Sequence, residues 1–198
     1  MLDYSKYQTT SAIPEASSMI ETFRAIGYNI ETAVADIIDN SISANAKNVW
    51  IYFDWKGADT WLSIKDDGSG MNNEELIQAM RPGSKNPLAD RNSKDLGRFG
   101  LGLKTASFSQ ARQLTVFSKK QDNSGVYWTW DLEYVNQTGN WDLIKYLPEN
   151  FSENDLSNLD SGTLVIWNDI DRVVKHFKQN DNTALDKFLF IMEQVKKH

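Results

Sequence analysis

A chain of 198 residues, 40% hydrophobic, is long enough for one ordinary core, and 1–198 reads as a single domain. Zero cysteines exclude disulfides and thiolate zinc sites, and His176 and His198 are too few for an imidazole cage or a Ser-His-Asp engine, so any metal needs oxygen ligands. The net charge of -6 argues against direct nucleic-acid binding, and without a membrane-length apolar run or a signal-like N-terminus the expectation is a soluble, cytoplasmic protein with no membrane partner.

Along residues 29–44, Ile30, Ala33, Val34, Ile37, Ile38 and Ile42 recur at helical spacing and predict an amphipathic helix. At about 100° per residue, Asp36, Asn40 and Ser43 line one edge of that stripe, so a carboxylate and a carboxamide one turn apart border its buried face. Two strands follow, 48–55 and 60–66, joined by a short turn. In the second, Leu62, Ile64 and Asp66 share one parity, so a core-facing strand aims the Asp66 carboxylate inward, where it needs a partner. DDGSGM is then a glycine-bearing turn, and 73–80 a short helix for which Asn72 and Glu75 offer a capping box.

Residues 81–97 hold Pro82, Gly83 and Pro87 without periodicity, as a lid over a site would. In GRFGLGLKTAS, which starts at Gly97, the glycines Gly97 and Gly102 keep the separation of a Walker loop, but Leu103 stands where its lysine belongs. The preceding PLADRNSKDL is no strand, so the Walker and Rossmann readings both fail. Two readings stay open for Gly97, Gly100 and Gly102: a structural turn, or a backbone that closes on an anion where the helix GLKTASFSQA begins. Lys85, Arg91, Lys94, Arg98 and Lys104 cluster there, either as a solvated loop or as a phosphate site.

Beyond it, QLTVFSK, GVYWTWDLEYV, WDLIKYL and GTLVIWND read as strands, with a helical SENDLSNL before the last. A closing helix over 183–196 presents Leu185, Phe188, Leu189, Met192 and Val195. Trp50, Trp55, Trp61, Trp128 and Trp130 read as sheet packing in preference to a base-stacking surface. This order suits an α+β layered sandwich, helices on one face of a mostly antiparallel sheet.

Taken in order, Asp36 with Asn40, the D-x-G-x-G-M run from Asp66 to Met71, the glycine run through Lys104, and Gly162 with Thr163 resemble the Bergerat-fold (GHKL) ATPases. These include DNA gyrase, the ninety-kilodalton heat-shock chaperone, histidine kinases and MutL. The resemblance covers 30–166, and its wording is most similar to microrchidia-like and related bacterial ATPases. It implies a two-layer sandwich with a mixed, mostly antiparallel sheet and a nucleotide lid, binding ATP and Mg²⁺. Asp66 would accept the adenine amine, with Gly68, Gly70 and Met71 passing under the purine and Thr163 reaching its edge. Asn40 would be the Mg²⁺ ligand. Lys104, with Gly97, Arg98, Phe99, Gly100, Leu101 and Gly102, would hold the phosphates, and Lys85 would reach them from the lid.

Asp36 stands where hydrolysing members carry the glutamate that orients water, and its stem is shorter by about 1.5 Å, which implies slow turnover. The lysine that a following domain brings to the γ-phosphate in relatives is absent, so the chain is expected to be the N-terminal part of a longer protein. Two functions follow from the resemblance. One is a slow ATPase whose lid closure drives a downstream domain, a partner protein or a homodimer; the other is a nucleotide-gated dimerisation module without turnover.

Overall fold

The computed structural model describes residues 3–83, 102–174, 178 and 181–197. Helix α1 (Ala16–Arg24), an element the expectations above omit, buries Ala16, Ile20 and Phe23 at i, i+4 and i+7. The helix expected at 29–44 forms as α2 (Ile30–Ser43), capped by the Asn29 side chain, which accepts the Thr32 N–H at 2.8 Å. Its buried stripe is Ile30, Ala33, Val34 and Ile37, whereas Ile42 in the last turn is exposed. Next come β1 (Val49–Asp54), β2 (Trp61–Asp66) and α3 (Asn73–Met80), the last with both arms of the Asn72–Glu75 capping box at 2.9 Å.

The chain then runs through α4 (Gly102–Gln110), β3 (Gln113–Lys119), β4 (Val126–Asp131), α5 (Leu132–Thr138), β5 (Gly162–Asn168) and α6 (Asn182–Lys197). Sheet order is β1-β2-β5-β3-β4, and every neighbouring pair is antiparallel, so among the described strands the expected mixed sheet is wholly antiparallel. The last strand is thus inserted at the centre, which brings residues distant in sequence side by side. Leu62, Ile64, Leu114, Val116, Val165 and Trp167 pack under the helices, while Phe117, Leu164 and Ile166 face the other way. That second face is covered by Leu147, Phe151, Leu156 and Leu159 from an irregular segment.

Three expected elements differ. The strand expected across GVYWTWDLEYV stops at Asp131, whose carboxylate accepts the Glu133 and Tyr134 N–H groups at 2.9 and 3.0 Å and so starts α5. A local cap outcompetes the β preference of the residues after it. WDLIKYL adds one isolated bridge, Ile144 to Thr129, and SENDLSNL forms turns that insert Leu156 into the outer face. In α6, Ala184, Phe188 and Val195 are buried but Leu189 is exposed.

Candidate functional site

Asp66 lies in one row with Thr163 of β5 and Ser118 of β3, because Thr163 pairs with both. Paired residues project to the same face, so the row turns a carboxylate and two hydroxyls toward the helix layer. Asp66 is 5% exposed. Its Oδ1 accepts the Gly68 N–H at 2.9 Å and its Oδ2 the Ser41 hydroxyl of α2 at 2.8 Å. Burial pushes its pKa above the ordinary 3.8, opposed by the Gly68 N–H, the Ser41 hydroxyl and the Thr163 backbone. An ionised carboxylate has about four acceptor positions, so the Gly68 and Ser41 donors leave room for a further one. The adjacent acid, Asp67, faces away and pins the segment before β1, accepting the Lys47 N–H, the Asn48 N–H and the Asn48 amide at 2.7–2.9 Å.

The turn after Asp66 is fixed by protein backbone. Gly70 sits at φ +62°, and an added Cβ would fall inside the Lys119 carbonyl; at Gly68 it would lie 2.9 Å from the Ala44 Cβ. These two glycines, expected to admit a purine, have a structural reason of their own. Gly70→Ala is expected to cost about 2 kcal/mol in chemical denaturation, and a loss below about 0.5 kcal/mol would mean that the end of β3 yields instead. Met71 is half-buried against the core, and its N–H donates to Ser118 Oγ at 2.8 Å.

The helices α2 and α4 run antiparallel. The Tyr28 carbonyl, before α2, accepts from Gln110 Nε2 at the end of α4 at 2.8 Å, while a Cβ on Gly102, where α4 begins, would lie 3.9 Å from Asp36 Oδ2. Asp36 therefore faces the helix start, where N–H groups and the positive dipole end project. Burial raises its pKa above 3.8, a hydrogen bond from the Tyr28 hydroxyl opposes the rise, and Asp39 adds to it. Nothing in the periodicity marked Tyr28, whose hydroxyl arrives from outside the helix. Asn40 is exposed one turn beyond Asp36, and Ser41 beside it ties α2 to Asp66.

Lys104, expected at the phosphates, is 2% exposed, and its ammonium donates to the Ala79 carbonyl at 2.7 Å, where α3 ends. Trp130 Nε1 donates to the neighbouring Met80 carbonyl at 2.9 Å. Lys85, Gly97, Arg98, Phe99, Gly100 and Leu101, with most of the expected lid, lie outside the described residues, as do His176 and His198. Among the described residues no cluster of three or more His, Cys, Asp or Glu gathers as a metal cage, and no helix is long and apolar enough to cross a membrane.

The sequence matches the family described as histidine kinase-, DNA gyrase B- and HSP90-like ATPase over residues 28–163. It is similar to ATPase morc-1 of Caenorhabditis elegans, 34% identical over 89 residues that are 45% of this chain and 10% of the relative. It is also similar to the DNA mismatch repair protein MutL of Dictyoglomus turgidum, at 32% over 100 residues (48% and 17%), and to human ATPase MORC2, at 31% over 94 residues (46% and 9%). The matched segments are thus a small part of each relative's length. The α+β sandwich with its antiparallel sheet agrees with the Bergerat fold. A buried acceptor beside Thr163, and Asp36 at the start of α4, occupy the region that the match spans. The chain belongs to the histidine kinase-, DNA gyrase B- and HSP90-like ATPase family, a family of ATP-binding domains.

Proposed function

We propose that this domain binds ATP with Mg²⁺ and hydrolyses it slowly, and that the bound nucleotide favours one conformation, driving dimerisation or a downstream domain. The observation that carries the reading is the Asp66–Thr163 pair, a buried carboxylate with an acceptor position left over beside a hydroxyl in the next strand. Asp66 accepts the exocyclic amine of adenine, and Thr163 meets the ring edge next to it. Met71 packs against the base.

The phosphates extend toward Gly102, where the start of α4 offers backbone N–H groups and the glycine adds no side chain of its own. Lys104 holds positive charge within the first turn of α4 and ties that helix to the end of α3. Asn40 would hold Mg²⁺ through its carboxamide oxygen, a hard oxygen donor of the kind that ion takes. Mg²⁺ contributes neutralisation of developing phosphoryl charge. Asp36 orients the attacking water and accepts its proton.

The test is calorimetric titration with ATP and Mg²⁺ of the wild type and Asp66→Asn. The wild type is expected to bind one equivalent, and the variant to lose about tenfold to a hundredfold in affinity, since an amide group turned toward the amine puts donor against donor. Equal affinity in the two proteins would sink the assignment of Asp66. The short stem of Asp36 favours a second reading, a nucleotide-gated interaction module without turnover. Tight ATP binding with no phosphate release above background selects it.

A further inference from the structure

Ser118 takes no part in the reading above, yet it is 0% exposed and stands in the same row. Its oxygen accepts the Met71 N–H at 2.8 Å and lies 2.9 Å from Thr163 Oγ1 and 3.1 Å from the Gly162 carbonyl. A serine hydroxyl has a single hydrogen, so Ser118 donates either to Gly162 or to Thr163. The choice decides what Thr163 offers. If Ser118 donates to the Gly162 carbonyl, Thr163 must spend its own hydrogen on Ser118 and turns lone pairs outward. If Ser118 donates to Thr163 Oγ1, the Thr163 hydrogen is released for a ligand.

Asp66, when ionised, only accepts. An acceptor followed by a donor complements an edge that runs donor then acceptor, which is the N6 amine and ring N1 of adenine. Guanine presents the reverse, a carbonyl followed by N–H. We infer that Ser118 is a positioning residue for adenine recognition, donating to Thr163 Oγ1 so that the Thr163 hydroxyl is held as a donor toward N1, directly or through one water. This rests on the assignment of Asp66 and Thr163 to the adenine edge. Ser118 itself does not touch the base, and Met71, whose N–H it accepts, is positioned by the same oxygen.

The experiment compares ATP with 1-deaza-ATP, in which C–H replaces N1, by calorimetry on the wild type and Ser118→Ala. In the wild type, loss of N1 is expected to raise Kd about fivefold to tenfold. In Ser118→Ala, ATP is expected to weaken and the two ligands to come within about twofold of each other, because the variant and the ligand change remove one coupled contact. Both ligands weakened by the same factor, with their ratio intact, would overturn the inference and leave Ser118 as packing support. No discrimination in the wild type would overturn it too, by removing the N1 contact. Asp66→Asn separates that outcome from failure of the wider reading, since undiminished ATP affinity in that variant means the adenine lies elsewhere. Ser118→Cys, near in size but a weak donor, carries the same comparison if thermal melting shows the alanine variant unfolded.

Discussion

Asp36→Asn is expected to leave ATP binding within about twofold of wild type and to lower kcat by about a hundredfold or more, the range for loss of a positioned general base. Asparagine keeps the shape and the half-buried position but cannot take a proton. The carboxylate faces Gly102 at the start of α4, where the proposed function puts the phosphates, so on that reading its loss touches the reacting centre and not the adenine contact. In the proposed role Asp36 works only when ionised, and burial pushes its pKa above 3.8. Turnover therefore falls as pH drops through that raised value, an acidic limb displaced upward from the ordinary aspartate range, and the variant lacks the limb.

Stability carries the opposite sign. A carboxyl whose folded pKa is raised binds more protons folded than unfolded, so its contribution declines as pH rises from 3.8 through the folded value and is flat beyond it. Both Asp36 and Asp66 add such a slope, and Asp36→Asn removes its share. Single-turnover phosphate release against pH, beside calorimetry at each pH, reads both effects. Unchanged kcat in the variant would remove Asp36 from the chemistry, whatever else the site does.

The parts of this site that could be read in the sequence are those fixed by local periodicity. The parity of Leu62, Ile64 and Asp66 told which of two adjacent acids turns inward, and the helical edge put Asp36 and Asn40 one turn apart. The Asn72–Glu75 box capped its helix where expected because a cap is satisfied within three residues. What could not be read depends on partners far away in the chain. The row from Asp66 through Thr163 to Ser118 exists because β5 inserts between β2 and β3, which no local pattern encodes. Lys104 lies in the glycine run, but its four-carbon stem ends at Ala79, and a stem's destination is a tertiary fact. The glycines at 68 and 70 announced a close approach without saying that the neighbours are Ala44 and Lys119. Helix α1 carries three apolar anchors among polar residues, a pattern that becomes decisive only against α4 and α5.

That same helix supplies the largest expected stability effect. Arg24→Ala is expected to destabilise the fold by about 3–5 kcal/mol, the cost of removing one member of a buried ion pair. The guanidinium is 3% exposed; Nη1 donates to the Phe108 and Ala111 carbonyls at 2.7 and 3.1 Å, and Nη2 to Asp171 Oδ2 at 2.6 Å. One planar fork therefore serves the carbonyl end of α4 and an acid just after β5, an arrangement that a lysine point charge does not reproduce. Without it Asp171, nearly as buried, keeps only Arg112 at 3.9 Å as an ion-pair partner among the described residues, and two carbonyls lose their donor. Because a domain of this kind is stable by only about 5–15 kcal/mol, the loss moves the denaturation midpoint far. The double variant Arg24→Met with Asp171→Leu separates charge from packing, and is expected to recover most of the loss because neither charge is then left unpaired in the interior. The far end of α4 is Gly102, so the weakened variant is also expected to gain stability on adding saturating ATP as far as its folded state still binds. A midpoint for Arg24→Ala within about 1 kcal/mol of wild type would mean that water or Arg112 replaces the fork, and that α1 is held to α4 by its apolar face alone.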